Sequence, residues 1–164
     1  MEIVNVRIDE RLIHGQVAAY WTTSLNSHRI MVIDDMAASN DIQKMALRMA
    51  APSTMKLSIF SVARAIERFK ENLYPGERVF IVMKGPDTLK RLHEGGIVLS
   101  PVNVGNMSSK HGSVQVKRSV GVTKHDVECF NYCVEKGVSF YAQMIPADTP
   151  VEFMPLIENV KFEN

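Results

Sequence analysis

The sequence predicts an α/β fold, a single domain with an open, mainly parallel β-sheet and helices on both faces. Short apolar segments alternate with longer segments whose apolar residues recur at helical spacing. Capping and turn residues separate these segments, and the alternation continues to about Gly96. Such βα alternation is typical of a parallel sheet covered by helices.

Four predicted strands and four predicted helices alternate in this first part of the chain. The strands span residues 3–8, 29–33, 56–60 and 78–83. The first helix begins near Gly15 and is marked by apolar or aromatic residues at roughly helical spacing, namely Val17, Tyr20, Trp21 and Leu25. The next three helices span residues 41–50, 62–72 and 87–94.

The predicted helix limits have chemical causes. Ser39 and Asn40 are suitable caps before the second helix, and Ser61 is a suitable cap before the third. Pro86 suits the first turn of the fourth helix, because the amide hydrogen that proline lacks has no helical acceptor there.

Beyond Gly96 the pattern changes to short strands, predicted at residues 101–104, 113–117 and 120–122. We expect one antiparallel strand or hairpin in this part. Thr123 is a suitable cap for a last long helix, with Val127, Phe130 and Val134 on its apolar face. A strand at residues 138–143 and a short helix around residues 153–157 complete the prediction.

Length and composition favour one domain over residues 1–164, with 46% hydrophobic residues available for a core. The 19 basic and 18 acidic side chains nearly cancel, which gives no support for nucleic-acid binding. Neither a signal peptide nor a membrane-spanning run is visible, so we expect a cytoplasmic location. We expect Cys129 and Cys133 to be reduced and the ten methionines to fill gaps in the core.

The loop after the first strand is the richest candidate site, since ligands bind outside the carboxyl ends of the strands in an open parallel sheet. His14 lies there with Arg11 three residues before it. A neutral imidazole can act as a nucleophile for a phosphoryl group, and Arg11 can compensate the added negative charge. Asp9 could orient either the imidazole or Arg11 by hydrogen bonding. The alternative is that His14 is an ordinary polar residue of the surface or core.

Further residues are expected around this loop. Phosphate binding is predicted for Arg7 and for the backbone amides of the first helical turn, Gly15, Gln16 and Val17. A supporting role near the same sheet edge is open for Asp34, Gly105 and Asn106, for which a cap or turn role is about as well supported. We expect a docking face around the loop with Arg7, Arg11 and Lys110, and no metal site. We expect surface polar roles for the other histidines, which are His28, His93, His111 and His125.

Residues 7–17, which read RIDERLIHGQV, closely resemble the signature around the phosphorylated histidine of the IIB components of mannose, fructose and sorbose phosphotransferase systems. Downstream matches in the same order are residues 76–79, 94–97 and 102–107. The resemblance implies a sugar phosphotransferase that uses no cofactor and a phosphohistidine intermediate at Nδ1 of His14. It further implies that Arg11 steadies the phosphoryl group and that Arg7 and Asp9 flank it.

The resemblance also implies the partners. A IIA component would donate the phosphoryl group, and the sugar would receive it while passing through the membrane IIC and IID subunits, with which the chain would associate peripherally. Two other functions stay open at this point: a stand-alone phosphatase or mutase, and a binding module without catalysis. The sequence leaves the sugar open among mannose, fructose, sorbose, an amino sugar and a uronic disaccharide. It also leaves open whether the chain forms a homo-oligomer.

Overall fold

The computed structural model describes residues 1–163 and has a seven-stranded sheet at its centre. The strand order is β3-β2-β4-β1-β5-β8-β9, and every pair is parallel except β8 with β9. A separate antiparallel pair joins β6 to β7. The strands are β1 (Glu2–Asp9), β2 (Arg29–Ile33), β3 (Lys56–Phe60), β4 (Arg78–Met83), β5 (Val102–Asn106), β6 (Val114–Lys117), β7 (Val120–Val122), β8 (Phe140–Ala142) and β9 (Val151–Glu152). The predicted fold class is confirmed.

Helices cover both faces of the sheet. They are α1 (Gly15–Leu25), α2 (Asp35–Ser39), α3 (Asp41–Ala50), α4 (Val62–Arg68), α5 (Pro86–Glu94), α6 (Lys124–Glu135) and α7 (Met154–Ile157). One apolar layer contains α1 and α3, through residues such as Trp21 and Leu47. The larger layer on the other face contains α4, α5 and α6, with Phe130 buried at its centre.

Side-chain caps begin the helices at the predicted places. Asn40 accepts a hydrogen bond from the Gln43 amide at 3.0 Å, and Ser61 accepts one from the Arg64 amide at 3.1 Å. Thr123 forms a reciprocal capping box with Asp126. These caps satisfy amides that have no helical acceptor, so they fix where each helix begins.

Helix α4 ends earlier than predicted. It ends at Arg68, not near residue 72, and the chain then turns so that Leu73 enters the core. Tyr74 has a positive φ of 49°, and the proline that follows it disfavours helical backbone. The prediction therefore overestimated the helix by following its apolar spacing into a turn.

Three other predictions were wrong or incomplete. The five-residue helix α2 and the short edge strand β9 were missed, since neither is long enough to show a period. Val134 is 40% exposed, and the buried stripe of α6 consists of Asp126, Cys129, Phe130 and Cys133. Met36, Met45 and Met49 are exposed instead of filling the core.

The chain leaves the adjacent parallel strands β1 and β5 towards opposite sides of the sheet. The connection after β1 runs through α1 towards β2, whereas the connection after β5 runs towards β8 on the opposite side. The two carboxyl ends therefore border a crevice, which is where open α/β sheets bind ligands. The loop that carries His14 begins at this point.

Candidate functional site

The loop from Asp9 to His14 folds tightly onto the end of β1. The Leu12 amide donates to the Asp9 carbonyl at 2.9 Å, and Leu12 has a φ of 61°. The left-handed backbone region is unfavourable for a leucine, so surrounding contacts must keep Leu12 in this conformation. Leu12 and Ile13 are buried in the α1 layer, and this burial supplies such contacts. His14 follows at once and is exposed.

Asp9 is the centre of a hydrogen-bonded clamp under the loop. Its carboxylate is 2% exposed and accepts from the Arg11 backbone amide at 3.0 Å, from Arg11 Nε at 2.9 Å and from Arg11 Nη2 at 2.9 Å. Arg7 donates to the same carboxylate through Nε at 3.3 Å and Nη2 at 3.2 Å. Of the two partners that the sequence left open, Asp9 therefore binds Arg11, and no hydrogen bond joins Asp9 to His14 among residues 1–163.

The guanidinium of Arg7 is buried behind this clamp. It is 2% exposed and donates to the carbonyls of Gln143 at 2.9 Å and Met144 at 3.0 Å. Burial lowers the pKa of Arg7 from its ordinary value, although Asp9 opposes this. The prediction that Arg7 lies on an exposed docking face is wrong, because its polar atoms are turned inward to Asp9 and to these two carbonyls.

Arg11 differs from Arg7 in that its side chain is 29% exposed. The hydrogen bonds that Arg11 donates to Asp9 raise the pKa of Arg11, which keeps it charged. Two parallel donors on one carboxylate fix the plane of the guanidinium. Arg11 is therefore an oriented cation at the surface, three residues from His14.

His14 is the N-cap residue of α1, and its side chain makes no cap hydrogen bond. Ala18 is the first amide that donates into the helix, to the His14 carbonyl at 2.8 Å. The amides of Gly15, Gln16 and Val17 have no backbone acceptor within residues 1–163. The predicted residues of the first helical turn are thus brought together beside an exposed imidazole.

The loop after β5 is attached to the His14 loop through Glu10, a residue whose role no sequence pattern predicted. The Glu10 amide donates to the Asn106 carbonyl at 3.0 Å, and the Glu10 carboxylate accepts from the amide and the hydroxyl of Ser108. Lys110 lies 3.5 Å from the same carboxylate. Burial opposes ionisation of Glu10, but the bonds from Ser108 and the charge of Lys110 prevail and lower its pKa.

The three residues expected near the site have different surroundings. Gly105 lies against the Arg7 guanidinium, and Asn106 contacts the loop through its carbonyl. Asp34 caps α2 by accepting from the Ala37 amide at 2.9 Å and lies 3.8 Å from Lys84. Of the two roles that the sequence left open for Asp34, the structure shows the cap, and no hydrogen bond links it to the His14 loop in the described chain.

The space under the loop is small. A cavity of about 10 Å³ is lined by Arg7, Asp9, His14 and Trp21, among others. That is room for about one water molecule and not for a sugar or a phosphate ester. A ligand of that size could therefore reach His14 only from the protein surface.

Fold and site define an α/β domain that presents an exposed histidine at the crevice between β1 and β5. Residues 3–164 match the model of the sorbose subfamily IIB component of the phosphotransferase system. The chain belongs to this family, and it is a IIB component of a sugar phosphotransferase system.

Relatives and solved structures agree with this assignment. The chain is 36% identical to the mannose-specific EIIAB component of Escherichia coli K12 over 98% of its length, and spans 50% of that relative. It is 32% identical to the fructose-specific EIIB component of Bacillus subtilis, with 98% of each chain covered. The IIB domain of the sorbose permease from Klebsiella pneumoniae superposes with a TM-score of 0.91 at 28% identity, covering 98% of this chain and 99% of the other.

Two further findings concern the described residues only. Within residues 1–163, no helix has the length and apolar character required to cross a membrane. The same residues contain no group of three or more histidine, cysteine or acidic side chains arranged to hold a metal ion.

Proposed function

We propose that this IIB component is a phosphoryl carrier whose reactive group is the imidazole of His14. It accepts a phosphoryl group from a phosphohistidine of a IIA partner and passes it to a sugar that enters through membrane IIC and IID subunits. The observation that carries this proposal is the exposed His14 at the start of α1, beside free amides and the clamped cation Arg11. The chain would act at the cytoplasmic side of the membrane.

Each transfer exchanges one bond to phosphorus for another. The unprotonated nitrogen of His14, which the family resemblance assigns as Nδ1, forms a bond to phosphorus as the donor's nitrogen–phosphorus bond breaks. One proton moves from the accepting ring to the leaving ring, so the charges balance. In the second step a sugar hydroxyl oxygen attacks phosphorus as the bond from phosphorus to His14 breaks, and the hydroxyl proton ends on the leaving ring, so that His14 departs as neutral imidazole. Alignment and charge stabilisation supply most of the rate in such reactions.

The neighbours of His14 suit the stabilisation of a transferred phosphoryl group. Arg11 presents a fixed positive charge, and the amides of Gly15, Gln16 and Val17, which have no backbone acceptor within residues 1–163, lie at the positive end of the α1 dipole. Asp9 and Arg7 act through Arg11, because they hold its guanidinium and the loop in place. We therefore assign Arg7 and Asp9 as positioning residues, not as direct phosphate ligands.

The shallow surroundings of His14 fit a carrier better than a stand-alone phosphatase or mutase. A carrier must meet two protein partners in turn, which requires an accessible ring, whereas turnover of a small ester is favoured by an enclosing pocket. The cavity of about 10 Å³ beneath the loop does not provide such a pocket.

Phosphorylation of the purified chain tests this function directly. The chain is incubated with phosphoenolpyruvate, the general phosphotransfer proteins and the IIA partner, and its intact mass is measured. We expect one acid-labile phosphoryl adduct that requires IIA and is absent in His14→Ala. His111→Ala is the matched control, since His111 is also exposed but lies in the turn before β6. Absence of an adduct with demonstrably phosphorylated IIA would refute the carrier function.

A further inference from the structure

Four apolar side chains of α2 and α3 project into solvent beside the His14 loop. We call them the methionine surface: Met36, Ile42, Met45 and Met49, which are 66%, 80%, 64% and 83% exposed. The next most exposed large hydrophobic residue within residues 1–163 is Val98, at 56%. The most exposed apolar side chains are therefore concentrated on one stretch of the chain.

This surface is not needed to hold α3 on the sheet. Ile42, Met45 and Met49 lie on one side of the helix, at i, i+3 and i+7, whereas Leu47 on the other side is 7% exposed and belongs to the same buried apolar cluster as Trp21 of α1. A contiguous exposed apolar surface of this kind marks an interaction site, and unbranched methionine side chains adapt to the shape of a partner.

Helix α3, which carries three of the four residues of the methionine surface, borders the surroundings of His14. A β-carbon on Gly15, the residue after His14, would lie 3.9 Å from the carbonyl oxygen of Ala50 at the end of α3. A groove of about 210 Å³ lies between the His14 loop and α3 and is lined by Arg11 and Leu12 on one side and by Ala46 and Leu47 on the other. Ten residues of α3 extend over about 15 Å. A protein that reaches His14 and buries about 800 Å² of this chain would also cover these ten residues of α3.

In the ion pairs around the groove, the cation is more exposed than the carboxylate. Arg11 is 29% exposed but its carboxylate partner Asp9 only 2%, and Lys84 is 36% exposed but Asp34 only 12%. Glu10, which also lines the groove, is 26% exposed beside Lys110 at 49%, so in each of the three pairs the cation is the more exposed partner. A partner that approaches unphosphorylated His14 along α3 meets a positive rim around an apolar surface, which is complementary to a protein that carries an anionic phosphoryl group.

We propose that the methionine surface docks the phosphorylated IIA donor, with Met45 and Met49 as its apolar anchors. This inference rests on the proposed function and deepens it, because it names the surface and the partner that brings the phosphoryl group. The charge argument selects the donor, since the phosphoryl anion is on the partner only before transfer. Once His14 carries the phosphoryl group, its negative charge offsets the positive rim.

The test separates docking from chemistry by using two phosphoryl donors. The full chain and a Met45→Gln/Met49→Gln double variant react with phosphorylated IIA and, separately, with phosphoramidate, a small donor that releases ammonia and needs no docking surface. Glutamine keeps the side-chain length and helix propensity of methionine. We expect the double variant to raise KM for IIA at least tenfold, with kcat changed less than twofold and phosphoramidate labelling unchanged.

Val98→Gln/Val134→Gln is the matched control, since both valines are exposed but lie outside the methionine surface. This control variant should react like the unaltered chain.

Chains labelled with phosphoramidate are then given to membranes that contain IIC and IID, and sugar phosphate is measured. An unchanged KM for IIA in the methionine variant would overturn the docking inference alone. A defect confined to the sugar step would also overturn it, because the surface would then serve the membrane subunits. Failure of the unaltered chain to accept phosphoryl from either donor would instead refute the proposed function.

Discussion

The guanidinium of Arg7 lies directly against the α-carbon of Gly105, where no larger residue fits. A β-carbon built on Gly105 would come within 2.1 Å of Arg7 Cζ. Arg7 cannot easily retreat, because it is 2% exposed and is hydrogen-bonded to Asp9 and to the carbonyls of Gln143 and Met144. Gly105, at the end of β5, thus sets the position of the Arg7 guanidinium, which supports the His14 loop through Asp9.

Gly105→Ala should therefore weaken both the fold and the site. We expect the added methyl group to displace Arg7 and lower the free energy of unfolding by about 2 kcal/mol, within the usual range for overpacking. Phosphoryl acceptance by His14 should also fall, because Asp9 and Arg11 lose their support. Urea unfolding and the rate of phosphorylation by IIA measure the two effects. Gly121→Ala is the control, since its β-carbon would meet only ordinary contacts at 3.4 Å. Equal effects of Gly105→Ala and Gly121→Ala would show that the contact between Gly105 and Arg7 is not what makes position 105 sensitive.

Replacing Arg11 by lysine keeps the charge but removes the two parallel hydrogen bonds to Asp9. We expect the rate of phosphoryl transfer to fall about tenfold to a hundredfold, because an ammonium group cannot hold the same plane against the carboxylate. The free energy of unfolding should change by less than about 1 kcal/mol, since Arg11 is partly exposed. Single-turnover transfer from IIA and urea unfolding provide the two readouts. Arg64→Lys, in an exposed pair with Glu67, should leave both unchanged. A normal transfer rate in Arg11→Lys would show that the orientation of the guanidinium is unimportant.

Asp9→Asn should be the most damaging single change in the clamp. It leaves the buried Arg7 guanidinium without its carboxylate, and breaking such a buried pair costs about 3–5 kcal/mol. The double variant Asp9→Asn/Arg7→Met should lose less free energy of unfolding than the two single variants lose together. The reason is that the double variant has no unpaired buried charge. Urea unfolding of the four proteins in this cycle gives the coupling. Strict additivity would mean that the two residues stabilise the fold independently.

Much of the fold followed from local pattern because the strands are strongly apolar and the helices have clear caps. The strands β2, β3, β4 and β7 begin and end at the predicted residues. The failures occur where a tertiary contact overrides the local pattern, as at Leu73, which leaves a helical pattern to enter the core. The missed helix α2 depends on the Asp34 cap and has only five residues.

The site was predictable in part for a similar reason. A single loop contains His14, Arg11 and Asp9, so the sequence brings them together without long-range information. The partners of Arg7 lie on a segment about 136 residues away, at Gln143 and Met144, and no local pattern indicates them. The positive φ of Leu12 was equally invisible, since leucine gives no signal for left-handed backbone. Glu10 was within the motif, but its role depends on Ser108 across the crevice.

Glu77 lies at the amino ends of the strands, far from His14 at their carboxyl ends. Its side chain joins the starts of β2 and β3. Its carboxylate accepts from Arg29 Nε at 2.6 Å and from Lys56 Nζ at 2.8 Å. The bond from Arg29, followed by that from Lys56, lowers the pKa of Glu77 to about 2. A carboxyl group with a lowered pKa in the folded state stabilises the fold above its unfolded pKa. That contribution is lost as the pH falls from about 4.5 towards about 2.

We therefore expect Glu77→Gln to cost about 1 kcal/mol at about pH 6.5, a value kept small because Lys56 is largely exposed. At about pH 3 the difference from the unaltered chain should be clearly smaller, since much of the contribution of the ionised carboxyl group has been lost there. Urea unfolding at the two pH values measures this. Glu67→Gln serves as the control, because its pair with Arg64 lies on an exposed helix face and should contribute little at either pH. A Glu77→Gln difference that grows as the pH falls would have the wrong sign for a carboxyl group with a lowered pKa, and would show that Arg29 and Lys56 do not hold Glu77 in its ionised form.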